Sequence, residues 1–182
     1  MTTKTIKDFT WSYGIKLVSL ITALGSTALY AANRYTIGLD TQDTRCLDEW
    51  VYVIDTWDKP RAYETRKDQY IAVRLTADQT PKGAKWRPAQ VMVKRVLASQ
   101  PGDRITVTET GVQFQNGEET WSHGDGLAAA TLLGAKPEAY LRSYVLAPRE
   151  LFLMGDNPLS YDGRYYGQVS ENQIVGTVVW AF

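Results

Sequence analysis

The chain has one cysteine and one histidine in 182 residues, and no net charge. A single cysteine excludes an internal disulfide and any cysteine-cluster metal site. A single histidine leaves zinc without its usual set of ligands, so no cofactor or metal is expected. Lys+Arg and Asp+Glu balance at 20 each, so no basic field points to nucleic acid as a partner. The chain also lacks internal repeats and low-complexity tracts. It is rich instead in hydrophobic residues, 44% with six Trp and eleven Tyr, which argues for a folded core of one ordinary domain.

The first 33 residues read differently from the rest. Lys4, Lys7 and Lys16 precede a charge-free run from Leu17 to Ala32. That run alone makes a helix of about 24 Å, short of a bilayer core. Starting at Trp11 extends it to about 33 Å, with Lys16 able to snorkel toward the headgroups. A cleaved signal peptide is the competing reading. However, Leu29 and Tyr30 occupy outer positions where a cleavage site wants small residues. The expectation is a cytoplasmic tail and transmembrane signal anchor over 1–33 and an exported domain over 34–182. The positive flank would stay inside and the domain would be delivered across the membrane.

After Arg34 the pattern is short apolar runs between turn residues. Strands are predicted at Val51–Ile54, Tyr70–Leu75, Val91–Leu97, Arg104–Val107, Val112–Phe114, Leu151–Met154 and Val175–Trp180. Pro101-Gly102-Asp103 and Gln115-Asn116-Gly117 are turn signals between them. Leu127–Leu133 and Pro137–Val145 are the helical candidates of the domain, within an insertion over about 117–148. The fold class is mainly β, a barrel-like domain behind one N-terminal transmembrane helix.

Three elements carry chemistry. In Val91-Met92-Val93-Lys94-Arg95-Val96-Leu97, period-two alternation places Lys94 with Met92 and Val96, and Arg95 with Val91, Val93 and Leu97. Two cations thus sit within an apolar strand. A lysine can escape burial by losing its proton and so become a general base, whereas Arg95 must find a partner or reach water. The competing reading is an edge strand with both cations in solvent. The second element is Cys46, on a polar connector before Val51. In an exported protein it is a reactive thiol, an intermolecular bridge or a small buried hydrophobe. The third is the loop Gly155–Gly167, where Asp162 and Arg164 are close enough to pair. His123, in a polar insertion, is the rival general base. A thiol-redox protein is disfavoured, since no second cysteine resolves a mixed disulfide.

Together these elements resemble a known family. Lys94-Arg95-Val96 with Pro101-Gly102-Asp103 looks like the catalytic-lysine box of type I signal peptidases (peptidase S26). Gly155–Gly167, with Ser160, Asp162, Arg164 and Tyr165, is similar to the family's later box, and Ile174-Val175-Gly176 also fits. Within the family the pattern is nearest to conjugative-transfer pilin peptidases of the TraF type. Their nucleophile motif laid on this chain gives Thr44, Cys46, Asp48, Trp50, Val51 and Tyr52. Cys46 replaces the nucleophilic serine, Asp48 a proline and Trp50 a glycine.

The resemblance implies a membrane-bound endopeptidase with Cys46 and Lys94 as catalytic dyad. Thr44 and the backbone of Cys46 would form the oxyanion hole, with Ser160, Asp162 and Arg164 in support. It further implies a pilin-like precursor polypeptide as substrate, conjugative type IV secretion components as partners, and a bacterial inner-membrane location with the catalytic domain in the periplasm. A catalytically inactive scaffold of a conjugative secretion system is the alternative. Thioester opening by water or by an amine of the same substrate, giving a cyclic peptide, stays open, as does the resting protonation of the Cys46/Lys94 pair.

Overall fold

A computed structural model describes residues 11–40, 45–81 and 90–182. Helix α1 covers Trp11–Arg34, and none of its side chains is buried. Its 24 residues extend about 36 Å, and the helix is long and apolar enough to cross a membrane. Its end is tied to the domain that follows. The Arg34 carbonyl accepts from the Thr56 N–H and hydroxyl, satisfying one of the carbonyls that a helix C-terminus leaves unpaired. The Arg34 guanidinium donates through Nε (2.8 Å) and NH2 (2.5 Å) to Asp55. The helix runs straight into β1 (Tyr35–Leu39).

The body is mainly β, in two sheets. The larger contains β1, β2 (Val51–Asp55), β3 (Tyr70–Arg74), β4 (Val91–Ala98), β9 (Glu150–Met154), β10 (Val169–Ser170) and β11 (Ile174–Ala181). Their spatial order is β1-β2-β11-β3-β4-β9-β10. The smaller sheet holds β5 (Arg104–Val107), β6 (Val112–Asn116), β7 (Glu119–His123) and β8 (Arg142–Val145), in the order β7-β6-β5-β8. All seven strands expected from apolar alternation form, within one or two residues of their predicted bounds. β1, β7, β8 and β10 form as well, and they carry weaker patterns: β7 reads Glu-Thr-Trp-Ser-His and buries no residue fully.

The helical expectation for Pro137–Val145 does not hold. Pro137–Tyr140 is a single 3-10 turn, and Arg142–Val145 is strand β8 pairing with β5. Tyr144 and Val145 favour a pleated strand, and the 3-10 turn at Thr131–Leu133 stops at Gly134 with φ 72°. Leu127–Leu133 likewise contains only that short turn among its residues. The stretch 117–148 supplies β7 and β8, which complete a sheet with β6 and β5.

The main core lies where the sheets meet. Ile71, Val73, Met92 and Val96 from the large sheet join Ile105, Val107, Val112 and Phe114 from the small one, with Leu151, Phe152 and Leu153 beside them. Such burial is the main stabilising term of the fold, about 25 cal/mol per Å2 of apolar surface removed from water. A second cluster, Leu47, Tyr52, Ile54 and Ala72, packs under the connector that carries Cys46.

Candidate active site

Lys94 lies on β4, whose neighbours β3 and β9 pair with it on both sides. The edge-strand reading is therefore excluded, and the alternation expected from sequence holds: Met92, Lys94 and Val96 are all buried. Lys94 is only 1% exposed. Its Nζ donates to Ser160 Oγ at 3.0 Å. Arg95, on the other face, finds the partner its charge requires. Nε and NH2 donate to the two carboxylate oxygens of Asp156 at 2.8 and 2.6 Å, and the guanidinium lies 4.7 Å from the Tyr70 ring centroid. NH2 also donates to the Tyr70 hydroxyl, which donates onward to Glu49. Burial, together with that bond to Glu49, pushes the Tyr70 phenol up to about 12.

Cys46 sits on the connector before β2 and is 7% exposed. Its carbonyl accepts from the N–H groups of Asp156 (2.7 Å) and Asn157 (3.3 Å), docking the connector onto the loop after β9. Gly155 allows this approach: a Cβ there would clash with Ser160 Oγ and come within 2.6 Å of the Cys46 carbonyl. The N–H of Cys46 donates to Asp40 Oδ2 at 3.1 Å. Cys46 and Lys94, 48 positions apart in sequence, line one cleft of about 270 Å3 together with Ile37–Asp40, Tyr52, Ile54 and Gln90–Val93. Thr44, the other candidate oxyanion residue, lies outside the described residues.

The loop after β9 is held from within. Asp162 and Arg164 are wholly buried and bonded through two contacts, Nε to Oδ1 at 2.9 Å and NH2 to Oδ2 at 2.7 Å. Asp162 also accepts the N–H groups of Gly155 and Arg164, and thereby caps α2 (Gly163–Tyr166). Arg164 donates to the carbonyls of Asp125, Gly126 and Asn157, so every side of a buried charge is engaged. Ser160, bonded to Lys94, stands on this braced loop.

His123 ends β7 in the small sheet and is not among the residues that line the cleft. No group of three or more His, Cys, Asp or Glu among the described residues is arranged to hold a metal. Neither Asp40 nor the pairing of Asp156 with Arg95 is legible in the sequence. An arginine in an apolar strand needs a partner or water, but no local pattern points to Asp156, and Asp40 carries no signal of its own.

The sequence profile described as signal peptidase, peptidase S26 matches residues 11–182. A curated relative, the plasmid transfer protein TraF of Escherichia coli, is 35% identical over 88 residues, 48% of each chain, so this chain covers about half of that protein's length. Among solved structures, a signal peptidase I from Enterococcus faecalis aligns with a TM-score of 0.39 and 21% identity, over 64% of this chain and 97% of that one. The profile extends from the membrane-length helix through both boxes to the last residue, and the chain belongs to the signal peptidase S26 family.

Proposed function

We propose that this protein is a membrane-bound endopeptidase that processes a pilin or another exported precursor for conjugative transfer, with Cys46 as nucleophile and Lys94 as base. The observation that carries the reading is the shared cleft, where a wholly buried lysine bonded to Ser160 meets the surface that holds Cys46. Helix α1 supports a single-pass anchor, with residues after 33 on the periplasmic side of the inner membrane. The TraF relative supports the conjugative setting, with secretion components of that apparatus as neighbours.

In this mechanism the Cys46 sulfur attacks the scissile carbonyl carbon. The thiol proton passes through Lys94 to the leaving amine, and a thioester to Cys46 results. The Cys46 N–H and the Thr44 hydroxyl stabilise the oxyanion, and losing one such donor typically costs about 3 kcal/mol of barrier. Ser160 orients the Lys94 amine, while Asp162 and Arg164 hold the loop that carries Ser160. The substrate enters as an added strand along β1, an edge of the large sheet whose residues Ile37–Leu39 line the cleft. Water opening the thioester yields a cut product; an amine of the same substrate yields a ring.

The test is processing of a pilin precursor by the full chain in detergent micelles. Cys46→Ala should abolish cleavage, and Cys46→Ser should retain a part. If Cys46→Ala processes normally and supports conjugation fully, the protein acts as a scaffold and the peptidase reading is wrong.

A further inference from the structure

We infer that Asp40 occupies the oxyanion site of the resting enzyme with its own carboxylate, so that a substrate carbonyl must displace it before attack. The inference rests on the peptidase reading above, in which the Cys46 N–H is the backbone donor for the developing oxyanion. In the structure that N–H is already used: it donates to Asp40 Oδ2 at 3.1 Å. A carboxylate oxygen is the closest side-chain mimic of a tetrahedral oxyanion, and a charged acceptor binds an N–H more strongly than the neutral carbonyl of an arriving peptide. Asp40 also lines the same cleft as Cys46 and Lys94, at the end of the strand along which the substrate would lie.

The backbone at this point is anchored independently. The Asp40 N–H donates to the Trp50 carbonyl at 3.0 Å, continuing the β1–β2 ladder. Rotation of the Asp40 side chain releases the Cys46 N–H while the Asp40 backbone stays on β1, and the connector remains docked through the Cys46 carbonyl on the Asp156 and Asn157 N–H groups. The resting thiol then lacks its oxyanion donor until a peptide bound along β1 supplies a carbonyl and drives the rotation. The thiol becomes competent for acyl transfer only with substrate in place, a useful property for a peptidase surrounded by other envelope proteins.

Two reagents separate this role from a purely structural one, each applied to the full chain in detergent micelles. N-acetylated trialanine aldehyde adds the Cys46 sulfur to its carbonyl carbon; the C=O π bond breaks and the thiol proton ends on oxygen, which needs the oxyanion site. Iodoacetamide forms an S–C bond as its C–I bond breaks; iodide leaves, the thiol proton passes to solvent, and no oxyanion forms. We expect Asp40→Ala to bind the aldehyde about tenfold more tightly and to lower KM for the precursor by a similar factor, with kcat and alkylation rate within about twofold. Asp40→Asn, which keeps the shape and removes the charge, should gain about threefold, and it decides the matter alone if the alanine variant does not fold. Aldehyde binding that is unchanged or weaker in the folded variants, with alkylation unchanged, shows that the bond merely ties the loop and overturns the proposal. If the wild-type chain binds no aldehyde and Cys46→Ala still cleaves, the nucleophile assignment fails, and the role of Asp40 with it.

Discussion

Lys94 and Cys46 reach the same cleft by opposite means. Lys94 projects from the middle of β4, a strand hydrogen-bonded to β3 and β9, with buried Met92 and Val96 flanking it on its own face. Cys46 projects from a connector with no ladder of its own. That connector is held by its carbonyl on the Asp156 and Asn157 N–H groups, by its N–H on Asp40, and by Leu47 in a small core. A strand position is over-determined, since many ladder bonds must break before it moves. A connector position depends on a few contacts, each supplied by another part of the chain. Lys94 should therefore tolerate distant substitutions that displace Cys46.

Four experiments break or sharpen that contrast. The largest effect is expected from Lys94→Met, which keeps an unbranched side chain of similar reach on the strand and removes the amine. Single-turnover cleavage of the precursor should slow by about a thousandfold with the thermal midpoint maintained. Cleavage within tenfold of wild type would remove Lys94 from the chemistry. Arg164→Met comes next. It leaves Asp162 charged and unpaired in a site with no exposure, and a loss of about 3–5 kcal/mol is expected in chemical unfolding. A loss below 1 kcal/mol would show that the loop does not depend on the pair.

Gly155→Ala tests the connector directly. The new methyl group meets the Cys46 carbonyl on one side and Ser160 Oγ on the other, so turnover should fall by about a hundredfold from misplacement. The accompanying stability loss should be only about 1–3 kcal/mol. If turnover and stability fall strictly together, the substitution acts through unfolding and the contrast between strand and connector loses its support. The smallest effect belongs to His123→Ala, in the other sheet, where processing should stay within about twofold. A hundredfold drop there would make His123 a rival base again.

Local pattern carried the strand far better than the connector. The seven consecutive residues Val91–Leu97 are legible as a strand because β-branched and apolar residues fit a pleated surface, and the period of two then assigns Lys94 and Arg95 to opposite faces. The same pattern left Arg95 to find a partner or reach water, and Asp156 partners it 61 positions later. Strands β7 and β8 were less legible. Their sheet covers one side of the core with partly buried residues, and Pro137 and Ala-rich flanks imitate a helix over a stretch that closes against β5. The approach of Gly155 to Cys46 left only a glycine in a turn-rich loop, which turn chemistry explains equally well.

By itself the sequence determined a membrane-length apolar helix, a mainly β domain, two cations within one apolar strand and the two later family boxes. Each of these is written in neighbouring residues as a run, a period or a spacing. Only the tertiary structure decided that Cys46 and Lys94 share a cleft, that Asp162 and Arg164 are fully buried and that the Cys46 N–H is held by Asp40. These are meetings between segments far apart in the chain or joined by irregular backbone, and their geometry is set by sheet order and loop packing, for which no local periodicity exists.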